Sequence, residues 1–241
     1  MTFLRSIVFN LLYFGWTIAL MLSLWALMPF SAPTFREGIR LWSVGCDWLL
    51  ENIVGTRIEI RGRERVPDKP VIFAAKHQSA WDTMAFLKLN AGNAYVMKME
   101  LLRIPLWGWY MRKADHAVID RKGGISALRR LTHQVGRIIG DGRSVVIFPE
   151  GTRVPPGETG RYFPGIASLA AGVDAEVVPV AVNSGVFWGR RRFMKRPGTI
   201  VLEFLEPMPK GLERRPFMAE LESRIETASR RLEEEASRTG A

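Results

Sequence analysis

The chain has one cysteine in 241 residues, Cys46, which rules out an intrachain disulfide and any zinc or iron–sulfur site built from several thiolates. Histidine is nearly as scarce. His77, His116 and His133 are all there are, which argues against a histidine-rich metal centre. No segment repeats and none is of low complexity, which argues against a repeat array. Charge is missing from the 30 residues between Arg5 and Arg36. The length suits one or two domains and buries a proper core without disulfide or metal staples.

Acidic residues are also in short supply, 24 against 34 Lys and Arg, a net charge of +10. An excess of that size attracts acidic partners: nucleic acid, anionic lipid, phosphorylated metabolites or an acidic carrier. The excess is local. Residues 1–52 sum to zero and residues 212–241 to −1, whereas residues 53–211 hold 25 basic and 14 acidic residues, a net +11.

In the uncharged stretch, Ile7–Met28 is apolar except for Asn10, Gly15, Thr17 and Ser23. About 20 such residues in a helix span the hydrocarbon core of a bilayer. A signal peptide is the rival, with Ser31-Ala32-Pro33 as a weak cleavage site, but its apolar region is about 7–15 residues, shorter than this one. In Phe35–Ile53, the residues Phe35, Ile39, Trp42, Cys46, Leu49 and Ile53 recur at steps of three and four, the pattern of an amphipathic helix. Arg36, Arg40 and Asp47 lie off that stripe. Trp16, Trp25, Trp42 and Trp48 suit a membrane-interface belt. Residues 1–54 are therefore expected to form a pair of membrane-anchoring helices, either one span plus an interfacial helix or a hairpin inserted from one side. The basic bulk that follows points to a cytoplasmic globular part at the cell membrane.

Residues 55–241 read as one α/β domain. Short apolar or β-branched runs occur at Arg57–Ile60, Val71–Ala75, Ala94–Met97, Ala117–Asp120, Ser144–Phe148, Val177–Val182 and Thr199–Phe204. Between them lie helical patterns, among them Ile125, Leu128, Leu131, Val135 and Ile138 on one face. Phe217, Leu221, Ile225, Ala228 and Leu232 form another near the C-terminus. Strands alternating with helices predict a mixed, largely parallel sheet with helices on its faces.

Chemistry gathers at the ends of those strands, where open α/β sheets place their sites. After Val71–Ala75 comes Lys76-His77-Gln78-Ser79-Ala80-Trp81-Asp82. Five residues along a straight helix leave two side chains about 140° apart, so His77 and Asp82 meet more easily across a strand-to-helix turn. In such a pair the carboxylate fixes the imidazole while the other ring nitrogen takes a proton. A structural reading competes: a strand-end histidine capped by a helix-starting aspartate. Ser79 would complete a Ser/His/Asp set, but no G-x-S-x-G turn surrounds it. After the strand ending at Phe148 comes Pro149-Glu150-Gly151-Thr152-Arg153. Gly151 admits a close backbone approach, and Arg153 offers a planar fork for phosphate or carboxylate. Asp120-Arg121 ends another strand, and Lys98 another. The run Arg190–Arg196 (RRRFMKR) reads as a solvated basic loop or, in a non-catalytic alternative, as a membrane-anchored surface for anionic lipid or nucleic acid. Only Trp188 and Phe193 flank it, few aromatics for a nucleic-acid groove.

Taken together and in order, these blocks resemble the glycerolipid acyltransferase family over residues 70–185. His77–Asp82 matches its His-x4-Asp block, and Lys98 through Ile104-Pro105 resembles its Lys-x-Glu-Leu…Pro segment. Ile119-Asp120-Arg121, Phe148–Arg153 and Val178-Pro179-Val180 correspond to the remaining three. Lys76 stands where asparagine is frequent, Ala117-Val118 where Gly and Phe are, and Pro164 where lysine is. The resemblance implies that a fatty acyl group passes from acyl-CoA or acyl carrier protein to the sn-2 hydroxyl of lysophosphatidic acid, giving phosphatidic acid. His77 and Asp82 would be catalytic, and Arg153, Arg121, Lys98 and Gly151 would hold the phosphate. Gln78, Ser79, Glu150 and Thr152 would support the motifs, with Glu150 anchoring its loop or Arg153. No metal or cofactor is implied, since a thioester is already an activated carbonyl. Another lysolipid acceptor, such as a lyso-ornithine lipid or a phospholipid being remodelled, is the alternative within this chemistry.

Overall fold

The computed structural model describes residues 1–238. Two helices open the chain, α1 (Thr2–Ala26) and α2 (Ala32–Leu49), the second running into a π-helical turn (Leu50–Val54) that Gly55 ends in the left-handed conformation. Then follow β1 (Thr56–Arg61), β2 (Ile72–Ala75), α3 (Trp81–Leu89), β3 (Ala94–Lys98), α4 (Trp107–Ala114), β4 (Ala117–Ile119), α5 (Gly124–Gly140) and β5 (Val145–Ile147). The chain closes with α6 (Gly165–Gly172), β6 (Val177–Val182), α7 (Ser184–Phe187), β7 (Gly198–Phe204) and α8 (Arg214–Arg238).

The seven strands form one sheet in the order β1-β7-β6-β2-β5-β3-β4. β6, β2, β5, β3 and β4 are mutually parallel, and the single antiparallel contact, β6 with β7, reverses the remaining two. All five parallel strands therefore end on one side of the sheet. The mixed, mostly parallel sheet flanked by helices is the architecture expected from the alternating pattern.

Alternation along each strand sends its side chains to opposite faces. Phe73, Ala75, Val146 and Val180 pack in the core shared with α1–α4, while Ile72, Ala74, Val145 and Ile147 join α5, α6 and α8. The first core is continuous across residue 54: Phe9, Leu24, Phe35 and Cys46 belong to it. On α8, Phe217, Leu221, Ile225, Ala228 and Leu232 are all buried. On α5, Ile125 departs from its expected face and is 75 % exposed, because it lies about 100° from the centre of the Leu128–Ile138 stripe.

α1 is the one described helix long and apolar enough to cross a membrane. α2 differs from expectation. Phe35, Ile39, Cys46 and Leu49, its amphipathic stripe, are buried against the protein itself, as is Asp47. The outer side shows Leu41 and Trp48 instead. Asp47 accepts from Trp81 Nε1 at 2.8 Å and pairs with Lys88 at 2.8 Å, tying α2 to α3. Periodicity identifies the apolar face, but its cover is α1, α3 and α4 rather than lipid.

Candidate active site

β2 stops at Ala75 and α3 begins at Trp81, so His77 lies in the connecting loop and Asp82 in the first turn of the helix. That bend brings the two together: His77 Nδ1 donates to Asp82 Oδ2 at 2.9 Å. The backbone N–H groups of Gln78 and Ser79 donate to the same oxygen at 2.7 and 2.8 Å, and Ser184 Oγ donates to Oδ1. Asp82 is fully buried. A buried carboxylate with four donors at a helix N-terminus is held in one place. With Nδ1 committed to Asp82, Nε2 is the nitrogen left to accept a proton. The imidazole is stacked on Phe148, ring centroids 4.0 Å apart, which sets its plane.

His77 lines a cavity of about 690 Å³ with two kinds of wall. Leu20, Met21 and Leu24 of α1, Ile39 of α2 and Tyr110 of α4 make one apolar. Lys98 at the end of β3, Arg121, Gly151, Thr152 and Arg153 in the loops beyond β4 and β5, and Arg190 beyond α7 make the other mainly cationic, with the Asp120 carboxylate among them. The four expected phosphate-binding residues are thus on one cavity. Arg121 donates to the Gly151 carbonyl at 3.1 Å, lies 5.0 Å over the Phe163 ring, and has its guanidinium pKa lowered by burial. Gly151 has φ +60°, a conformation that favours glycine, and a Cβ there would push the Arg121 guanidinium aside.

Gln78, Ser79 and Glu150 do not line the cavity. Ser79 Oγ accepts from the Trp81 N–H at 3.2 Å and is buried, a turn-capping role rather than that of a nucleophile. Glu150 anchors its loop but does not touch Arg153. Its carboxylate accepts from the His77 N–H at 3.1 Å, the Gly160 N–H at 3.2 Å and Lys76 Nζ at 2.8 Å. Burial raises its pKa against the pull of Lys76.

Lys76 reaches further, donating to Glu226 of α8 at 2.8 Å and to the Glu158 carbonyl at 3.1 Å. Two turns on, Glu233 accepts from Gln78 Nε2 at 2.6 Å and from the Gly157 N–H at 2.8 Å. One face of α8 thus braces both loops. Sequence reasoning missed Glu226, Glu233 and Ser184. The two glutamates had a faint signal, a polar line at 226, 229 and 233 beside the apolar stripe of α8, but Ser184 had none.

Residues 57–183 match the family model described as Acyltransferase. The chain belongs to that family. It is 35% identical over 200 residues, 83% of its length and 77% of the relative, to the 1-acyl-sn-glycerol-3-phosphate acyltransferase of Pseudomonas aeruginosa. It is 31% identical over 243 residues, 91% of this chain and 89% of the relative, to the lyso-ornithine lipid O-acyltransferase of the same organism. Its fold matches the crystal structure of the 1-acyl-sn-glycerophosphate (LPA) acyltransferase PlsC from Thermotoga maritima at a TM-score of 0.76. The sequence identity there is 21%, covering 96% of this chain and 98% of the other. The apolar first helix and the bacterial relatives fit association with a membrane.

Proposed function

We propose that this acyltransferase moves a fatty acyl group from a thioester, of coenzyme A or of acyl carrier protein, to the sn-2 hydroxyl of lysophosphatidic acid. The observation that carries the reading is the His77–Asp82 pair, 2.9 Å apart, on a cavity that is apolar on one wall and cationic on the other. The apolar wall suits an acyl chain, and Arg153, Arg121 and Lys98 suit a phosphate. His77 Nε2 takes the proton of the acceptor hydroxyl as its oxygen attacks the thioester carbonyl, and Asp82 stabilises the imidazolium. The tetrahedral intermediate collapses with cleavage of the C–S bond, and the thiolate leaves with the proton from His77. No redox step or further reactant is involved.

Membrane placement follows from α1. Its inner side is fastened along its length: Ser6 and Phe9 are buried, Trp42 Nε1 donates to Thr17 at 3.0 Å, and Tyr110 donates to the Met21 carbonyl at 2.6 Å. Contacts spread from Ser6 to Leu24 support a helix that lies along the membrane beside the domain over one that crosses it. We therefore read it as lying in the interface, with Leu4, Leu11, Phe14 and Leu22, all more than half exposed, in lipid. The cytoplasmic face of the cell membrane, where thioester donors are made, is the matching location.

The lyso-ornithine lipid relative, which aligns over more of the chain, supports a second acceptor. Purified enzyme offered lysophosphatidate and lyso-ornithine lipid with each donor type decides between them. Preferred acylation of lysophosphatidate is expected. Turnover confined to the phosphate-free acceptor would overturn the assignment.

A further inference from the structure

The run Arg190–Arg196 does not behave as a free loop. Its one lysine is turned inward. Lys195 is buried, its Nζ donating to Asn10 Oδ1 of α1 at 2.9 Å and its backbone N–H to Ser6 Oγ at 3.0 Å. Asn10 Nδ2 answers with a bond to the Phe193 carbonyl at 3.1 Å, and the Phe193 ring lies 5.8 Å from that of Phe3. The loop is thereby stitched to the first turns of the apolar helix.

The four arginines point the other way. Arg190, Arg191, Arg192 and Arg196 are exposed, and none has a carboxylate within ion-pair distance among the described residues. Arg57, Arg112 and Arg129 are also exposed without a carboxylate among the described residues; what marks this loop is four such arginines within seven positions, whereas Arg61, Arg137, Arg143 and Arg231 are tied to carboxylates. Phe193 and Met194, 49 % and 41 % exposed, stand among the unpaired arginines and continue into Phe3 and Leu4 of α1 at 60 % and 66 %. A basic border on an exposed apolar helix is the arrangement of an interfacial element bound to anionic lipid. A nucleic-acid groove would instead carry its aromatics along a basic track.

We propose that the Arg190–Arg196 loop, with Phe193 and Met194, is a docking surface for an anionic lipid bilayer, set beside the mouth of the active-site cavity. Arg190 links the two, lining that cavity and donating to the Arg153 carbonyl at 3.2 Å. The proposal rests on the reading of α1 as an interfacial helix. Together they divide the labour: the helix supplies apolar insertion into any bilayer, and the loop supplies preference for negative headgroups at the place where the acceptor must enter.

The test is co-sedimentation of the full chain with phosphatidylcholine vesicles, with and without phosphatidylglycerol, at low and high salt. Wild type is expected to bind the anionic vesicles more tightly, with the difference shrinking in salt. Arg191→Glu/Arg192→Glu/Arg196→Glu should lose at least about a hundredfold in affinity for anionic vesicles, about fivefold or more for each arginine removed. It should keep its affinity for neutral ones and its turnover of detergent-dispersed substrate. The corresponding triple lysine variant should bind as wild type does. Equal binding of the glutamate variant and wild type to anionic vesicles would overturn the loop assignment while leaving the α1 reading intact. Failure of wild type to bind neutral vesicles would overturn the α1 reading. Unchanged vesicle binding with lost turnover on acyl carrier protein alone would reassign the loop to an acidic protein and overturn the lipid proposal.

Discussion

Lys76 precedes His77 in the chain and Arg153 lines the same cavity as His77, and their surroundings are opposite. The Lys76 side chain is 1 % exposed, with its ammonium held by Glu150, Glu226 and a backbone carbonyl. Arg153 lines an open cavity with Arg121 and Lys98. A buried ion pair gains little net stability, since desolvation offsets attraction, but it fixes geometry and is costly to break halfway. A half-exposed arginine without a protein partner fixes nothing, yet keeps its hydrogen-bonding capacity for an incoming anion. The same kind of charge is thus tied down by carboxylates at Lys76 and left facing a cavity at Arg153, and only the partners tell the two apart.

Removing His77 itself should have the largest effect. His77→Ala is expected to lower kcat by about 10²–10⁴-fold, with vesicle binding and thermal unfolding unchanged. Turnover close to wild type would end the general-base assignment. Next comes the sealed side. Lys76→Met strands Glu150 and Glu226 together, and should lower stability by about 3–5 kcal/mol, read as a shifted urea midpoint. The double variant Lys76→Met/Glu226→Gln should recover part of that loss, and absence of coupling between the two would dissolve the contrast. The open side should respond least in stability and in a different kinetic constant. Arg153→Ala should raise the KM for lysophosphatidate about tenfold or more, the scale of a lost charged hydrogen bond, with the urea midpoint unmoved. A fall in kcat at constant KM would mean that Arg153 positions rather than binds.

Much of this is legible in the sequence alone. The seven strands were readable within a residue or two because most are short apolar runs and β1 alternates isoleucine with charge, and both patterns are local. The buried stripe of α8 was readable residue by residue from its period. His77, Arg121 and Arg153 drew attention because polar residues directly after apolar strands stand out against them. By contrast, α2 showed its apolar face but not what would cover it, and Asp47 looked like a solvent-side residue until Trp81 and Lys88 were seen to hold it.

What the sequence determined by itself is therefore the inventory: which segments are strands, which helices are one-sided, and which reactive side chains sit at strand ends. Each of these depends on neighbours a few residues away, where backbone periodicity and burial are coupled. Tertiary structure alone decided the pairings. Asp82 meets Ser184 across 102 positions and Lys76 meets Glu226 across 150, distances at which no local pattern survives. The strand order that carries five strand ends to one side, and the docking of α1 along the domain, are decided the same way. They depend on how whole faces fit together, a property no single segment holds.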